Sequence, residues 1–196
     1  MQACPSAPTL TEGVAGRLHE YAALLARWTQ RISLISRGDE AHVWERHVLD
    51  SLRLVPLIPP GTPRAIDLGS GAGLPGLVLA LATGIPFDLV EADRRKAAFL
   101  LEAQRVTAAP VHVHNARIEQ VQLDPAPLVT ARALAPLPVL LGLAAPLLAP
   151  GGICLFPKGV RVADELASAR AAWRFDAELA GPANSPVLVV RDLARG

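Results

Sequence analysis

The stretch Ala-Ile-Asp-Leu-Gly-Ser-Gly-Ala-Gly-Leu-Pro-Gly, residues 65–76, decides the fold. It begins with an apolar segment, residues 65–68, that is typical of a buried strand. The glycines that follow let the main chain turn sharply and leave its surface bare for a ligand. Pro75 suits the first turn of a helix, which we predict over residues 75–83. The stretch therefore predicts a strand, a glycine-rich turn and a helix.

Strands and helices alternate along the rest of the chain. Short apolar runs between Gly and Pro predict strands, and apolar residues at steps of three or four predict helices. The further predicted strands are 87–91, 111–114, 128–131, 153–156, 175–179 and 186–191, and the helices are 94–106, 137–148 and 162–173. This alternation predicts an α/β fold with a mostly parallel sheet of seven strands. A short connection joins the last two strands, so we expect a terminal hairpin and one antiparallel pairing.

Two helices are predicted before this alternation begins. Residues 11–31 have the apolar spacing of an amphipathic helix. Its inward positions are Leu18, Tyr21, Leu25, Trp28 and Ile32. A second helix is predicted over residues 39–54 with Asp39 as its N-cap, and a proline-rich connector follows it. We therefore expect residues 1–60 to form a helical extension packed on a domain of residues 61–196.

Composition excludes several classes of protein. Hydrophobic residues make up 51% of the 196 residues, which excludes a disordered chain, and a net charge of +1 excludes a globally basic nucleic-acid wrapper. Cys4 and Cys154 are too few and too far apart for a disulfide framework or a zinc site, so we expect a reduced, cytoplasmic protein. The uncharged runs 68–87 and 133–157 contain too many glycines and prolines for membrane spans. We therefore expect no membrane association.

The glycine-rich turn allows two interpretations. Gly71, Gly73 and Gly76 match the dinucleotide fingerprint, and Glu91 follows Gly71 by 20 residues, so a nicotinamide-dependent oxidoreductase is one hypothesis. Asp67 followed by glycines at 69, 71 and 73 resembles instead the loop of S-adenosylmethionine (SAM)-dependent methyltransferases. In those enzymes the first acid helps to hold the methionine moiety and the second-strand acid grips the ribose hydroxyls. A carboxylate beside the turn repels a pyrophosphate but tolerates a sulfonium, which favours the second interpretation.

Further motifs narrow this resemblance. The most specific motif is Arg-His-Val-Leu-Asp-Ser at residues 46–51, and the next most specific is Leu-Pro-Gly at residues 74–76. Shorter motifs are Arg95-Lys96, Arg117-Ile118-Glu119, Ala131-Arg132-Ala133 and Lys158-Gly159. Together, over about residues 21–190, they resemble the bacterial 16S rRNA guanine-N7 methyltransferases (RsmG, glucose-inhibited division protein B), whose signature is RHxLDS.

The resemblance implies a class I, Rossmann-like SAM-dependent methyltransferase. Its substrate would be N7 of a guanine in 16S rRNA, within the small ribosomal subunit or its precursor, and it would act as a monomer. The implied cofactor-binding residues are Asp67, Gly69, Ser70, Gly71, Gly73, Leu74, Glu91, Ala116, Arg117 and Arg132. The implied catalytic residues are Arg132, Asp50 and His47, and the implied substrate-binding residues are Lys158, Arg46, Arg95 and Lys96.

Methylation of guanine N7 needs no general base, because this nitrogen carries an in-plane lone pair and no proton. We therefore expect catalysis by positioning and electrostatics, and no metal. Arg132, at the end of the fourth strand, either contacts the substrate or forms an ion pair with Asp67 or Glu91.

Three further candidates have two interpretations each. His47 and Asp50 lie on one helix face and either orient the ligands or dock the N-terminal helices onto the sheet. Lys158 either contacts phosphate or is an ordinary solvated loop residue.

The chain also departs from the family pattern. Thr29 stands where the family has an asparagine, Ser33-Leu34-Ile35 replaces a family Asn-Leu-Thr segment, and Ala131 replaces a serine. A second alternative is therefore a catalytically inactive module that has the SAM-binding fold and binds RNA.

Overall fold

The centre of the protein is a mixed sheet, seen in a computed structural model that describes residues 10–196. Its strands are β1 (Ala65–Leu68), β2 (Phe87–Val90), β3 (Val111–His114), β4 (Ala126–Ala131), β5 (Leu148–Pro157), β6 (Trp173–Ala180) and β7 (Val187–Arg195). They lie in the order β3-β2-β1-β4-β5-β7-β6. The first five pair in parallel, and β7 runs antiparallel to both β5 and β6. Two pairings are antiparallel, and not one as predicted, because β7 inserts between β5 and β6.

Helices precede the sheet and connect its strands. They are α1 (Glu12–Thr29), α2 (Asp50–Leu52), α3 (Gly76–Thr83), α4 (Arg94–Thr107), α5 (Leu137–Ala144) and α6 (Val162–Ala169). Short 3-10 helices cover Arg37–His42, Val55–Leu57, Ile118–Gln120 and Ala145–Leu147, and a π-helix covers Trp44–Leu49. The single helix predicted over residues 39–54 is therefore wrong in form, because the backbone there passes from 3-10 to π to α geometry. The structure also contradicts Asp39 as an N-cap, because Asp39 lies inside the first 3-10 helix.

Helices cover both faces of the sheet. On one face α1, α3 and α4 pack on the sheet in a core that includes Tyr21, Leu77 and Phe99. On the other face α5 and its neighbours pack around Leu141 and Phe156. Because both faces are covered, every residue of β1 is buried, including Asp67, which interrupts its otherwise apolar sequence. Cys154 is buried in β5, and Cys4 lies outside the described residues.

The strand registers bring one set of strand ends to the same edge. Leu68, the last residue of β1, pairs with Val90 of β2 and Ala131 of β4, and Val90 pairs with His114 of β3. The strand order reverses between β1 and β4, and parallel sheets bind ligands beyond the strand ends at such a point. We call this side of the sheet the switch edge. Among residues 10–196, no helix has the length and apolar character needed to cross a membrane.

Candidate functional site

The glycine-rich turn leaves β1 at the switch edge in a conformation that only glycine adopts easily. Gly69, Gly71 and Gly73 have φ angles of +62°, +53° and +86°. Space is also short, because a Cβ on Gly69 would lie 2.5 Å from Leu134 Cδ1. The φ angles explain glycine at all three positions, and the short space is a further reason at Gly69.

Hydrogen bonds from a neighbouring strand hold this turn. The Gly71 amide donates to Glu91 Oε2 at 2.8 Å, and the Asp93 amide donates to Glu91 Oε1 at 2.7 Å. The Ser70 amide donates to the Val90 carbonyl at 3.0 Å. Glu91 is 8% exposed, so its carboxylate fixes the turn from the end of β2 and still borders the cavity described below.

The N-terminal helix contributes a contact that the sequence did not predict. The Tyr21 hydroxyl, from α1, donates to the Ala72 carbonyl at 2.7 Å, and Tyr21 has no exposed surface. Burial raises the pKa of the Tyr21 hydroxyl, which therefore stays protonated as a donor. The helical spacing identified Tyr21 as an apolar position; the available signal was its hydroxyl, because a buried tyrosine usually finds a hydrogen-bond partner.

Asp67 lies beneath the turn, inside the core. It has no exposed surface, and its Oδ1 accepts a 2.6 Å hydrogen bond from Thr130 Oγ1 on β4. Burial raises the pKa of Asp67 to about 6, and the hydrogen bond from Thr130 opposes this shift. Gly76, at the start of α3, leaves room for this carboxylate, because a Cβ on Gly76 would lie 2.6 Å from Asp67 Cβ.

A first cavity of about 370 Å³ opens beside the turn. Of the predicted cofactor-binding residues, it is lined by Gly69, Gly71, Glu91, Ala116, Arg117 and Arg132. The other four predicted residues do not line it and are buried behind its wall: Asp67, Ser70, Gly73 and Leu74. The sequence did not single out several apolar lining residues: Val90, Ile118, Leu134 and Leu143. These residues come from four separate segments, so only the fold could group them.

A second cavity, of about 330 Å³, adjoins the first. Its polar lining residues are Asp50, Arg132, Lys158, Glu165 and Ser185. The two cavities share Arg132 and the alanines at 133 and 135, so this short segment after β4 forms the wall between them. Ala133 has a left-handed backbone, with φ of +51°, in the same segment. A ligand in each cavity would meet the other at Arg132.

The RHxLDS-like segment holds Arg132 from two sides. Arg132 Nη2 lies 2.9 Å from His47 Nδ1, and Arg132 Nη1 lies 3.7 Å from Asp50 Oδ2. Asp50 Oδ1 accepts a 2.7 Å hydrogen bond from Arg53. The alternative pairing of Arg132 with Asp67 or Glu91 is therefore wrong, because the N-terminal segment supplies its partners.

His47 is buried between opposite charges. Its Nε2 lies 3.6 Å from Asp39 Oδ2, and Asp39 also accepts from Ser36 and Arg46. Burial and the neighbouring Arg132 guanidinium lower the pKa of His47, against the opposing effect of Asp39 and Asp50. The ring is therefore neutral at pH 7.

Lys158 is not a solvated loop lysine. Its side chain is 8% exposed, and Nζ lies 2.7 Å from Glu165 Oε2. The same carboxylate oxygen accepts a 2.9 Å hydrogen bond from the amide of Leu137, the first residue of α5. Lys158 therefore presents a fixed cation to the second cavity.

The remaining predicted substrate-binding residues occupy different places. The side chains of Arg46 and Arg95 are 64% and 74% exposed and line neither cavity. Lys96 lines the first cavity. Among the described residues, no group of three or more His, Cys, Asp or Glu side chains could hold a metal ion.

Comparisons of sequence identify close relatives. A family model, GidB, described as rRNA small subunit methyltransferase G, matches residues 15–184. "Ribosomal RNA small subunit methyltransferase G" of Acidiphilium cryptum is 58% identical over 164 residues, covering 82% of this chain and 76% of that protein. The protein of the same name from Granulibacter bethesdensis is 47% identical over 194 residues, covering 97% of this chain and 91% of that one.

Solved structures share the fold at low sequence identity. M. jannaschii TYW2 in complex with AdoMet has a TM-score of 0.62 at 16% identity, covering 86% of this chain and 80% of that chain. The O-methyltransferase from Bacillus cereus in complex with SAH has a TM-score of 0.57 at 15% identity, covering 94% of this chain and 92% of that chain. The predicted class I methyltransferase fold, mostly parallel with an antiparallel terminal strand, is thereby confirmed.

Proposed function

The chain belongs to the family of rRNA small subunit methyltransferase G, and on this basis we propose that it transfers a methyl group from SAM to N7 of a guanine in 16S rRNA. The observation that carries the proposal is the pair of cavities that meet at Arg132. Methyl transfer from a sulfonium to a base needs two adjacent sites, so that the methyl group and the acceptor nitrogen come into contact where the sites meet. Here the first cavity is the cofactor site and the second is the acceptor site.

The first cavity suits SAM chemically. SAM supplies a methyl group on a positively charged sulfur. The buried carboxyl of Asp67 and the carboxylate of Glu91 place acidic groups beside the turn, which tolerates a cation and disfavours a pyrophosphate. Ile118 and Leu143 offer apolar surface for an adenine ring, and the bare main chain at Gly69 and Gly71 allows close approach.

The predicted cofactor residues divide into two groups. Gly69, Gly71, Glu91, Ala116 and Arg117 would contact the cofactor directly. Asp67, Ser70, Gly73 and Leu74 would shape the turn from behind. Arg132 would face both cofactor and acceptor.

The second cavity suits guanine. The O6 and N7 edge of guanine accepts hydrogen bonds, whereas the N1 and N2 edge donates them. With N7 directed at the shared wall, O6 would lie near the cations Arg132 and Lys158. The N1–H donor next to O6 would then point towards a carboxylate beside one of these cations, because Asp50 lies 3.7 Å from Arg132 and Glu165 lies 2.7 Å from Lys158. Adenine has no donor at N1, so these carboxylates disfavour it.

The residues of this site promote the reaction by positioning the base. N7 carries no proton, so no side chain has to remove one. Arg132 and Lys158 hold the base so that its lone pair faces the first cavity. A donor to O6 stabilises the transition state without blocking N7. Arg46 and Arg95, exposed outside the cavities, are proposed to contact the RNA backbone.

Family membership argues against the first alternative, a nicotinamide-dependent oxidoreductase, and the labelling experiment below tests the second, an inactive RNA-binding module. We further infer a cytoplasmic monomer in which residues 10–60, the described part of the predicted extension, pack on the domain of residues 61–196. The large apolar side chains exposed in the described part of the chain support the monomer, because each lies on a different segment of the chain. They are Leu49, Leu101, Val139, Val160 and Leu179.

A labelling experiment tests the proposal. Tritiated SAM is incubated with 30S particles and with deproteinised 16S rRNA, and modified guanine is located by reduction and aniline cleavage, which cuts the chain at N7-methylguanine. Label at one guanine, with cleavage at that base, supports the proposal. SAM binding without label, or label at a base that resists cleavage, contradicts it.

A further inference from the structure

We propose that His47 is a positioning residue whose neutral ring holds Arg132 in the wall between the two cavities and whose protonation releases it. The inference rests on the proposed function, because the rate it controls is that of rRNA methylation. It also assigns a task to the RHxLDS-like segment, which lies outside the glycine-rich turn.

The first observation is the direction of the hydrogen bond. Arg132 Nη2 lies 2.9 Å from His47 Nδ1. A guanidinium carries donors and no acceptor, so Nδ1 must be the acceptor. The ring therefore carries its proton on Nε2, which lies 3.6 Å from Asp39 Oδ2. A protonated ring would present N–H at both nitrogens and would face Arg132 with a like charge.

The second observation is that Arg132 has few other restraints. Its Nη1 is buried without a hydrogen-bond partner among the described residues and lies 3.7 Å from Asp50 Oδ2, beyond hydrogen-bond distance. His47 is thus the partner that fixes the plane of the guanidinium. His47 itself is 5% exposed, so its ring has no freedom to adopt another orientation without repacking.

The charges around His47 decide its protonation. Arg132 faces Nδ1 from the end of β4 and opposes a positive ring, whereas Asp39 from the 3-10 helix and Asp50 from α2 favour one. Burial adds to the effect of Arg132, so the pKa of His47 lies below its ordinary range. These charges therefore favour the neutral ring that accepts from Arg132, and acid works against it.

Four variants test the inference: three substitutions of His47 change which atom faces Arg132, and the fourth is a control. The substitution His47→Asn puts an amide oxygen close to the position of Nδ1, His47→Gln extends the amide towards the position of Nε2, and His47→Leu removes the acceptor. His42→Asn, which changes an exposed histidine of the preceding 3-10 helix, is the matched control. The measurements are kcat and KM for 30S particles at saturating SAM between pH 5 and 8, the Kd for SAM, and crystal structures of the Leu and Asn variants.

The inference predicts a definite ranking. We expect kcat/KM for the RNA to fall about 100-fold in His47→Leu, because a misplacement of about 1 Å can cost that much. His47→Asn should exceed His47→Gln by about tenfold, because only the asparagine offers an acceptor to Arg132. The wild-type rate should fall in acid, and His47→Asn should lack the part of that fall that depends on His47. Asp67 also titrates near this range, with a pKa of about 6, so a fifth variant, Asp67→Asn, separates the two groups. It should retain the His47-dependent fall, and adding His47→Asn to it should remove that fall.

Some results would overturn the inference. Equal rates for His47→Asn and His47→Gln, or an unchanged acid limb in His47→Asn, would show that His47 is merely structural. An Arg132 side chain that keeps its position in the crystal structure of His47→Leu would show the same without any activity measurement. Absence of methylation by the wild type would contradict the proposed function, and the crystal structures would still decide the role of His47.

Discussion

Thr130 Oγ1 donates a 2.6 Å hydrogen bond to Asp67 Oδ1, and neither residue has exposed surface. Thr130 is on β4 and Asp67 is on β1, so the bond joins the two strands at which the sheet order reverses. It places an ionisable group directly under the glycine-rich turn. The charge of that group affects both folding and the site above it.

Asp67→Asn should remove a pH dependence of stability. Burial raises the pKa of Asp67 to about 6, so between about pH 4 and 6 the native state binds more protons than the unfolded chain. The free energy of unfolding therefore falls as pH rises through this window, by about 3 kcal/mol in total. Asparagine keeps an acceptor for Thr130 and does not ionise, so urea denaturation of the variant should show no such fall.

The exposed Asp124 supplies the control for this prediction. Asp124→Asn removes the same formal charge and should leave the wild-type fall between pH 4 and 6 in place. If Asp67→Asn and the wild type lose stability in parallel over this range, the buried carboxyl is not its source.

Tyr21→Phe should weaken SAM binding although Tyr21 does not line either cavity. The substitution leaves the Ala72 carbonyl buried without its 2.7 Å donor, which costs about 1–2 kcal/mol of stability. Because this carbonyl is part of the glycine-rich turn, the Kd for SAM should rise about tenfold, as measured by calorimetry.

Thr107→Val separates this effect from a general loss of stability. Thr107 is 1% exposed, and its hydroxyl donates to the Ala103 carbonyl at 2.7 Å within α4, away from the turn. We expect it to lower the free energy of unfolding without a change in the Kd for SAM. Equal changes of Kd in both variants would mean that the turn is not specifically held by Tyr21.

Gly76→Ala should destabilise the fold through a clash. Its Cβ would lie 2.6 Å from Asp67 Cβ and 2.7 Å from Leu89 Cδ2, so buried atoms have to move. Overpacking of this kind costs about 1–3 kcal/mol, which urea denaturation measures. Gly16→Ala is the contrast, because nothing lies within 4 Å of its added Cβ in α1. Alanine at that exposed helical position should stabilise by about 0.5–1 kcal/mol, and a matching loss at both positions would refute the steric explanation.

Glu91→Gln should impair cofactor binding through lost acceptors. Glutamine has one side-chain oxygen, so it cannot accept from both the Gly71 and Asp93 amides. An amide left without its partner costs about 1–3 kcal/mol, so the Kd for SAM should rise at least about tenfold. Glu119→Gln removes the same charge from the lining of the same cavity and should have a smaller effect. Similar effects of the two changes would point to charge and not to the turn.

The sequence predicted those parts of the fold that depend on local patterns. The glycines after residue 68 required a turn, and β1 and β3 have the predicted bounds because each is a short apolar or β-branched run between turn residues. Residues 39–54 were harder, since the sequence has no clear local signal that distinguishes the wider i→i+5 turns of the π-helix at Trp44–Leu49 from α-helical turns. The inner position of β7 depends on long-range pairing, which leaves no local signal.

The same distinction between local patterns and long-range contacts applies to the site. Six predicted cofactor residues line the first cavity. They could be predicted because they lie at strand ends and turns, which local sequence patterns indicate. Thr130 and Tyr21 were missed, because their partners Asp67 and Ala72 are 63 and 51 residues away. Asp67 was predicted to bind the cofactor, but its side chain lies in the core. The reason is geometric, because alternate residues of a strand face opposite ways and the Asp67 side chain points under the turn.

The support of both cavities by one N-terminal segment has a consequence for protein engineering. Tyr21 donates a hydrogen bond to the turn, and His47 and Asp50 lie beside Arg132. A chimera that takes its first sixty residues from another relative therefore takes from that relative one partner of each of these contacts. Such grafts should succeed only when the donor segment has tyrosine at position 21 and partners for Arg132 at positions 47 and 50, because residue 72 contributes only its main-chain carbonyl.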